Sequence, residues 1–401
     1  MKWNLKFYKD SSHQAVKNDQ TIYYIWDDMG LRFRAIKYFT PLLIYLGAVH
    51  SFFSHGPACF ALLIYSWFII PFLELFVDPD AANLNDAEEE IAKQDPLYDW
   101  ILYAIVLLQV PILFLFFYSM QEESLSWVDR LGRIATMGML CGTFGINVGH
   151  ELGHRMNKFE KWLAKLSLMT SLYMHFYIEH NKGHHKNVAT PADPSSARLG
   201  EPVYTFWFRT VFCSYLSAWK IANREMEKKG KNKWNLENEM IQAHIIQFGF
   251  LVMICFIFGL AVLSYYLIAA IMGILLLETV NYIEHYGLTR NQIAEGKYER
   301  ARPAHSWNSN HVIGRMMLFE LSRHSDHHYM ASRKYQVLKH HEDAPQMPTG
   351  YPGMMMLSLF PPAWFFVMNK RIDQLSHSKF SPVPLMHSNQ ASVQDNVAAP
   401  K

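Results

Sequence analysis

Residues 246–285 read IQFGFLVMICFIFGLAVLSYYLIAAIMGILLLETVNYIEH, a stretch whose only formal charges are Glu278 and Glu284. A helix needs about 20 apolar residues to cross the hydrocarbon core of a bilayer. The stretch therefore predicts two spans, 246–264 and 266–283, joined through Tyr265-Tyr266 with almost no linker. Working outward, the same criterion finds windows at 36–55, 57–77, 99–120 and 132–149, the first two joined through His55-Gly56-Pro57. Six apolar runs with consistent polarity at their ends read as membrane spans rather than as buried core helices. The expected fold is all-α: a polytopic membrane protein of six transmembrane helices with both termini on one side.

Lysine and arginine are retained on the cytoplasmic side. Arg32, Arg34 and Lys37 precede the first span, and the loop 155–245 carries Arg155, Lys158, Lys161, Lys165, Arg224 and the run Lys228, Lys229, Lys231, Lys233. The opposite side offers Glu122, Glu123 and Asp129 against Arg130. Both termini are thus expected in the cytoplasm. The chain divides into a cytoplasmic N-terminal segment (1–35), a membrane domain (36–342), an interfacial apolar segment (343–375) and a disordered tail (376–401). The third part is too interrupted by Pro348, Pro352, Pro361 and Pro362 to span. The polar N-terminus lacks the apolar core of a cleavable signal peptide.

Composition narrows the chemistry. Half the 401 residues are hydrophobic, 18% are charged and the net charge is +2, which argues against a nucleic-acid partner. Cys59, Cys141, Cys213 and Cys255 sit singly in apolar runs, which excludes a disulfide framework, a zinc knuckle and a built-in iron–sulfur module. Any electrons must come from another chain. Histidine stands out, at 20 residues against 35 Asp and Glu together.

Nine of these histidines fall in four clusters: HELGH (His150, His154), HNKGHH (His180, His184, His185), NYIEHYG (His285) and HSDHH (His324, His327, His328). Residues three or four apart share a helix face, so each multiple cluster can aim imidazoles at one ion. Adjacent residues diverge by about 100° on a helix, so a doublet such as His184-His185 serves two neighbouring ions. The spacing suggests two metals with four to five nitrogens each. Imidazole suits iron, copper, zinc and nickel alike, but oxygen chemistry at iron favours many ligands and a vacancy. HELGH also matches the H-E-x-x-H motif of zinc proteases, which have no use for three further clusters. A metal transporter would hold fewer ligands near the midplane.

The set HELGHR, EHNKGHHKNVATPADPSSAR, NYIEHYGL, HSWNSNH and LSRHSDHH resembles the bacterial integral-membrane alkane 1-monooxygenases, within the histidine-rich membrane di-iron group that includes fatty-acid desaturases and xylene monooxygenase. The likeness runs from the first span to PTGYPG near residue 350. The three histidine boxes identify the wider group, and NYIEHYGL with HSWNSNH points to the alkane hydroxylases. The resemblance implies that the nine histidines hold two iron ions in a cytoplasmic cap and that O2 is co-substrate. It also implies electrons from NAD(P)H through a reductase and a rubredoxin, n-alkane drawn from the bilayer, 1-alkanol as product, and a bacterial inner-membrane location. The rival within the group is oxidation of a xylene or fatty-acyl substrate.

Further residues are expected around this site. Leu277, with Leu276, Val280 and Asn281, precedes His285 on the sixth span and is expected to line a substrate channel; the competing use is helix packing. Glu151, Glu179, Glu278, Glu284 and Asp326 are expected to orient imidazole N–H groups. Asp193 and Arg198 are expected to pair and pin the loop beside His184. Lys182, Lys186, Arg323, Arg333 and Lys334 flank the histidine boxes and are expected to dock an acidic electron donor.

Overall fold

The structure, a computed structural model, describes residues 34–377. The expected N-terminal segment and tail lie almost wholly outside the described residues. The described chain is mainly helical. In order come α1 (Arg34–Phe53), α2 (Gly56–Glu74), α3 (Asp86–Gln94), α4 (Pro96–Ser119) and α5 (Trp127–Leu140). After α5, a π-turn (Cys141–Ile146) leads into α6 (Asn147–Gly153), followed by α7 (Lys158–Met169), α8 (Val203–Lys228) and α9 (Glu239–His285). A small hairpin, β1 (Gln292–Ala294) with β2 (Lys297–Tyr298), separates these from α10 (Val312–Met317), α11 (His324–Tyr329), α12 (Tyr351–Ser358) and α13 (Pro361–His377).

Helix starts follow local chemistry. Asn85 and Ser126 form capping boxes with Glu88 and Asp129, while Asp95, Asn157 and Asn238 accept from the backbone N–H two residues on. Four helices, α1, α2, α4 and α9, are long and apolar enough to cross a membrane. Their large side chains point outward: Phe68 and Phe72 on α2 and Phe248 and Phe256 on α9 are exposed, Phe256 to 90%. In water such a surface would be a liability. It suits lipid, and the protein is membrane-associated.

The first described turn is where the sequence places it, with Ser54 and His55 extended, Gly56 at φ 61° and Pro57 opening α2. The last is not. α9 breaks at Gly259, at φ 85° and ψ 167°, rather than at Tyr265-Tyr266. The rings of Phe250 and Tyr266 are 5.9 Å apart, whereas sixteen residues of straight helix would separate them by about 24 Å. The chain therefore doubles back at Gly259, the residue without a Cβ to oppose a positive φ. Tyr266 instead lies in the second arm, its hydroxyl donating to Thr170 O at 2.9 Å.

The window expected at 132–149 is divided among α5, the π-turn and α6, and is not one of the four apolar helices. It is sheathed by neighbours. Arg133, fully buried, donates to Ser119 O at 2.7 Å and Ser54 O at 3.2 Å and pairs with Glu122 at 3.1 Å, so one guanidinium ties the ends of α1 and α4. The second arm of α9 packs on α5 through small residues. A Cβ on Gly273 would lie 2.5 Å from Cys141 Cβ and 3.0 Å from Gly138 O. Of the prolines expected to break 343–375, Pro348 lies in the loop before α12, while Pro352, Pro361 and Pro362 sit in the first turns of α12 and α13, where the missing N–H costs nothing; both helices are too short to cross a bilayer.

Candidate metal centre

Four segments converge at one end of the helices: α6, the helical run 176–187, the last turn of α9, and α11. Five imidazoles, of His150, His154, His180, His185 and His327, bring their ligand nitrogens within 4.8 Å of one another. Four more, of His184, His285, His324 and His328, form a second such group. His184 and His185 thus go to different groups, as the divergence of adjacent side chains on a helix requires. A π-turn, His180–His184, lies within the run 176–187, a local irregularity that frequently marks functional sites.

The ring nitrogens meet within hydrogen-bonding distance. In the first group Nε2 of His150 and His327 are 2.9 Å apart, His327 and His185 3.1 Å, and His185 and His180 2.9 Å. In the second, His184 faces His328 at 3.2 Å and His324 faces His285 at 3.2 Å. His154 Nε2 is buried with no hydrogen-bond partner. Burial pushes the titration of His154, His180, His185 and His328 well down, and neighbouring imidazoles push it further; His327 falls to about 3. Burial works against a proton on His184 too, but Asp193 holds its titration above the ordinary value; the other eight imidazoles are left neutral and in contact. The donor set fits a nitrogen-liganded metal centre.

An outward nitrogen fixes one tautomer. His184 Nδ1 lies 2.9 Å from Asp193 Oδ2, and His324 Nδ1 lies 3.2 Å from Glu284 Oε1. Asp193 accepts, so Nδ1 of His184 carries the hydrogen and its Nε2 is free to bind metal, whereas His324 Nδ1 makes no hydrogen bond to Glu284 despite the short distance. His285 Nδ1 is 3.4 Å from Ser306 Oγ. Asp193, expected to hold a loop, is thus an orienting group, itself fixed by Ser196 Oγ at 2.6 Å and the Ser195 N–H at 3.1 Å.

Of the five acids expected to orient imidazoles, none hydrogen-bonds a clustered histidine; Glu284 comes nearest, 3.2 Å from His324 Nδ1, but accepts instead from the Tyr351 hydroxyl at 2.8 Å. Glu151 accepts from Arg155 at 2.7 Å and from the Tyr335 N–H, and Asp326 binds Arg333 and His341, both at 2.6 Å. Glu179 accepts from Ser217, and Glu278 collects Tyr173, Thr210 and Asn281 at 2.7, 2.9 and 3.0 Å. A nearby guanidinium or hydroxyl outcompetes the imidazole for each.

An apolar cavity of about 80 Å³ lies among the helices that carry these histidines. Leu276, Leu277 and Val280 line it; Asn281 does not, because its amide is committed to Glu278. Asn147, Val280 and Leu321 on its wall lie three to five residues before His150, His285 and His324, which sets the cavity near the ends of the helices that carry the clusters. Trp67, Met139, Phe144 and Met355 complete it from other helices. Sequence reasoning missed these four because no ligand motif adjoins them.

The basic residues expected at a donor surface are mostly engaged. Arg323 is 3% exposed and bonded to Leu338 O and Ala82 O; Lys182 pairs with Glu225 and Glu239, Arg333 with Asp326, Lys334 with Asp99. Lys186 alone stays exposed. It borders an open polar cleft of about 670 Å³ that reaches His185 and His328, one member of each group, and is rimmed by Lys297 and Arg300.

Fold and site together define a membrane-associated helical protein with clustered histidines suited to a metal centre and an apolar cavity among the helices that carry them. Residues 125–358 match the fatty acid desaturase family. An alkane 1-monooxygenase of Acinetobacter baylyi is 39% identical over 304 residues, covering 76% of this chain and 74% of its own. Alkane 1-monooxygenase 1 of Alcanivorax borkumensis is 36% identical over 328 residues, 81% of each chain. The hydroxylase component of a Pseudomonas putida xylene/toluene monooxygenase is 28% identical over 242 residues, 60% of this chain and 63% of its own. The chain belongs to the fatty acid desaturase family and, within it, to the alkane 1-monooxygenases. It is an oxidoreductase.

Proposed function

We propose that the chain hydroxylates the terminal carbon of medium- to long-chain n-alkanes: R–CH3 + O2 + two electrons + two protons gives R–CH2OH + H2O. The observation that carries this reading is the pair of imidazole clusters together with an apolar cavity lined by residues three to five positions before three of the clustered histidines. A terminal C–H bond offers no handle to acid–base or nucleophilic chemistry, so the oxidant must be made in place. Two iron ions, held by His150, His154, His180, His185 and His327 and by His184, His285, His324 and His328, would supply O2 activation.

The chain's own residues do the rest. Leu277, Val280 and Leu321 hold a linear chain end-on and exclude water. Asp193 keeps His184 in the Nδ1–H tautomer, so its Nε2 atom faces inward. Lys186, Lys297 and Arg300 present an exposed basic rim beside His185 and His328, suited to an acidic donor of the rubredoxin type served by an NAD(P)H-dependent reductase. Six passes (α1, α2, α4, the run through α5 and α6, and the two arms of α9) would set the centre at the cytoplasmic face of a bacterial inner membrane, with both termini cytoplasmic and α12 and α13 at the interface.

The test supplies octane or hexadecane with NADH, reductase and rubredoxin to purified protein and measures both 1-alkanol and metal. Two irons per chain and primary alcohol are expected. Oxidation of a methylarene or an acyl chain with no alkanol would reassign the substrate, and one tightly held zinc with peptidase activity would overturn the reading altogether.

A further inference from the structure

A second cavity, of about 250 Å³, opens where α1 begins, and it is polar. Four cations line it, Arg34, Lys37, Arg315 and Arg323, against two carboxylates, Glu320 and Asp80. Glu320 is buried and serves three of the cations: Lys37 at 3.3 Å, Arg315 at 2.6 Å and Arg323 at 3.9 Å, with Tyr38 O–H donating to it as well. Asp80 is half exposed and 3.8 Å from Arg315. Arg34 reaches Glu88 at the surface, at 3.3 Å.

Backbone carbonyls satisfy much of the arginines' hydrogen bonding, those of Asp80, Ala82 and Leu338 among them. Carbonyls supply no formal charge, so a buried surplus of positive charge persists. Two polar atoms of residues lining the cavity have no hydrogen-bond partner although both are buried: Arg323 Nε, on a side chain 4% exposed, and Gln336 Oε1. A buried polar atom left unpaired is costly. The first needs an acceptor, the second a donor.

Position narrows the ligand. Arg323 immediately precedes His324, so the cavity lies at the same end of the helices as the imidazole clusters, and Arg34 and Lys37 stand at the first turn of an apolar helix. That is the level at which lipid phosphates lie, and basic pockets between membrane helices bind such headgroups.

We propose that this cavity binds a phosphate group, carried by an anionic phospholipid headgroup or free in solution. The phosphate oxygens would face Arg34, Lys37, Arg315 and Arg323, and a headgroup hydroxyl or a water would donate to Gln336 Oε1. A bound headgroup would tie α1 to the segment that ends in α11, and so stabilise the end of the molecule that carries the clusters.

The test uses the full chain, delipidated in a neutral detergent. Thermal unfolding is followed against dioctanoyl phosphatidylglycerol, dioctanoylglycerol and inorganic phosphate. The phospholipid should raise the melting temperature saturably and dioctanoylglycerol should not. The doubly substituted Arg34→Gln/Lys37→Gln protein should need about tenfold more phospholipid for half the shift, while Lys228→Gln/Lys229→Gln, which removes exposed charge elsewhere, should behave as the unsubstituted chain does. The full shift with inorganic phosphate at the same concentration would assign the site to free phosphate. No saturable shift with either phosphate compound, or equal half-maximal concentrations for the Arg34→Gln/Lys37→Gln protein and the unsubstituted chain, would overturn the proposal.

Discussion

At the residue scale, the position of one proton on an imidazole decides whether it can bind metal. Asp193 holds that proton on Nδ1 of His184 from 2.9 Å, so Asp193→Ala should lower metal retention by about 10- to 100-fold, measured as metal left after dialysis against a graded chelator, with helix content unchanged by circular dichroism. The nine histidines were legible because i, i+3 and i, i+4 spacings survive in a linear text. Asp193 was legible only as a loop acid, since nothing local says that an imidazole nine residues back will turn toward it. Glu320 makes a separate pH prediction. Burial alone would raise its carboxyl, but Arg315, Lys37 and Arg323 together with the Tyr38 hydroxyl hold it at about 2, below its ordinary 4.5. A depressed folded value contributes stability that is fully present above pH 4.5 and lost as the pH falls from there toward 2, on the order of 3 kcal/mol in all. Glu320→Gln should flatten the fall in melting temperature over that window; an equal slope in both proteins would remove Glu320 from the account.

At the element scale, glycines decide how the helices join and touch. Gly273 lets α9 meet α5 and the following π-turn so closely that a Cβ would overlap Cys141. Gly273→Val should therefore destabilise by about 1–3 kcal/mol, seen as a lower melting temperature and weaker metal retention, because the second arm of α9 carries His285. Gly259→Ala should cost about 1–2 kcal/mol for its left-handed backbone without changing the site itself. Apolar run length made the long membrane helices α1, α2, α4 and α9 readable, while the window 132–149 is split among α5, the π-turn and α6. The turn inside residues 246–285 was not readable, because an apolar run has no internal punctuation beyond a glycine, and Gly249, Gly259 and Gly273 look alike until packing selects one. The prolines after residue 347 divide the last apolar segment into two short helices, since proline ends a helix from inside yet starts one well.

At the scale of the whole molecule, cavity and cleft are built from different residues. Leu277→Phe should narrow the cavity and shift the product profile toward shorter alkanols, read by chromatography of mixed-alkane incubations; an unchanged profile would return Leu277 to helix packing. Replacing Lys186, Lys297 and Arg300 by glutamate should raise the donor concentration for half-maximal rate about tenfold or more and flatten its salt dependence, with the rate at saturating donor preserved. By itself the sequence determined the helical membrane class, the identity and number of candidate ligands and their division into doublets, because hydrophobic run length and helical periodicity are local properties. Only the tertiary structure decided which histidines share a cluster, which acid orients which imidazole, which cations remain free for a partner and where the cavity runs. Those depend on side chains from distant segments competing for the same neighbours, and a buried charge takes the partner that folding brings closest.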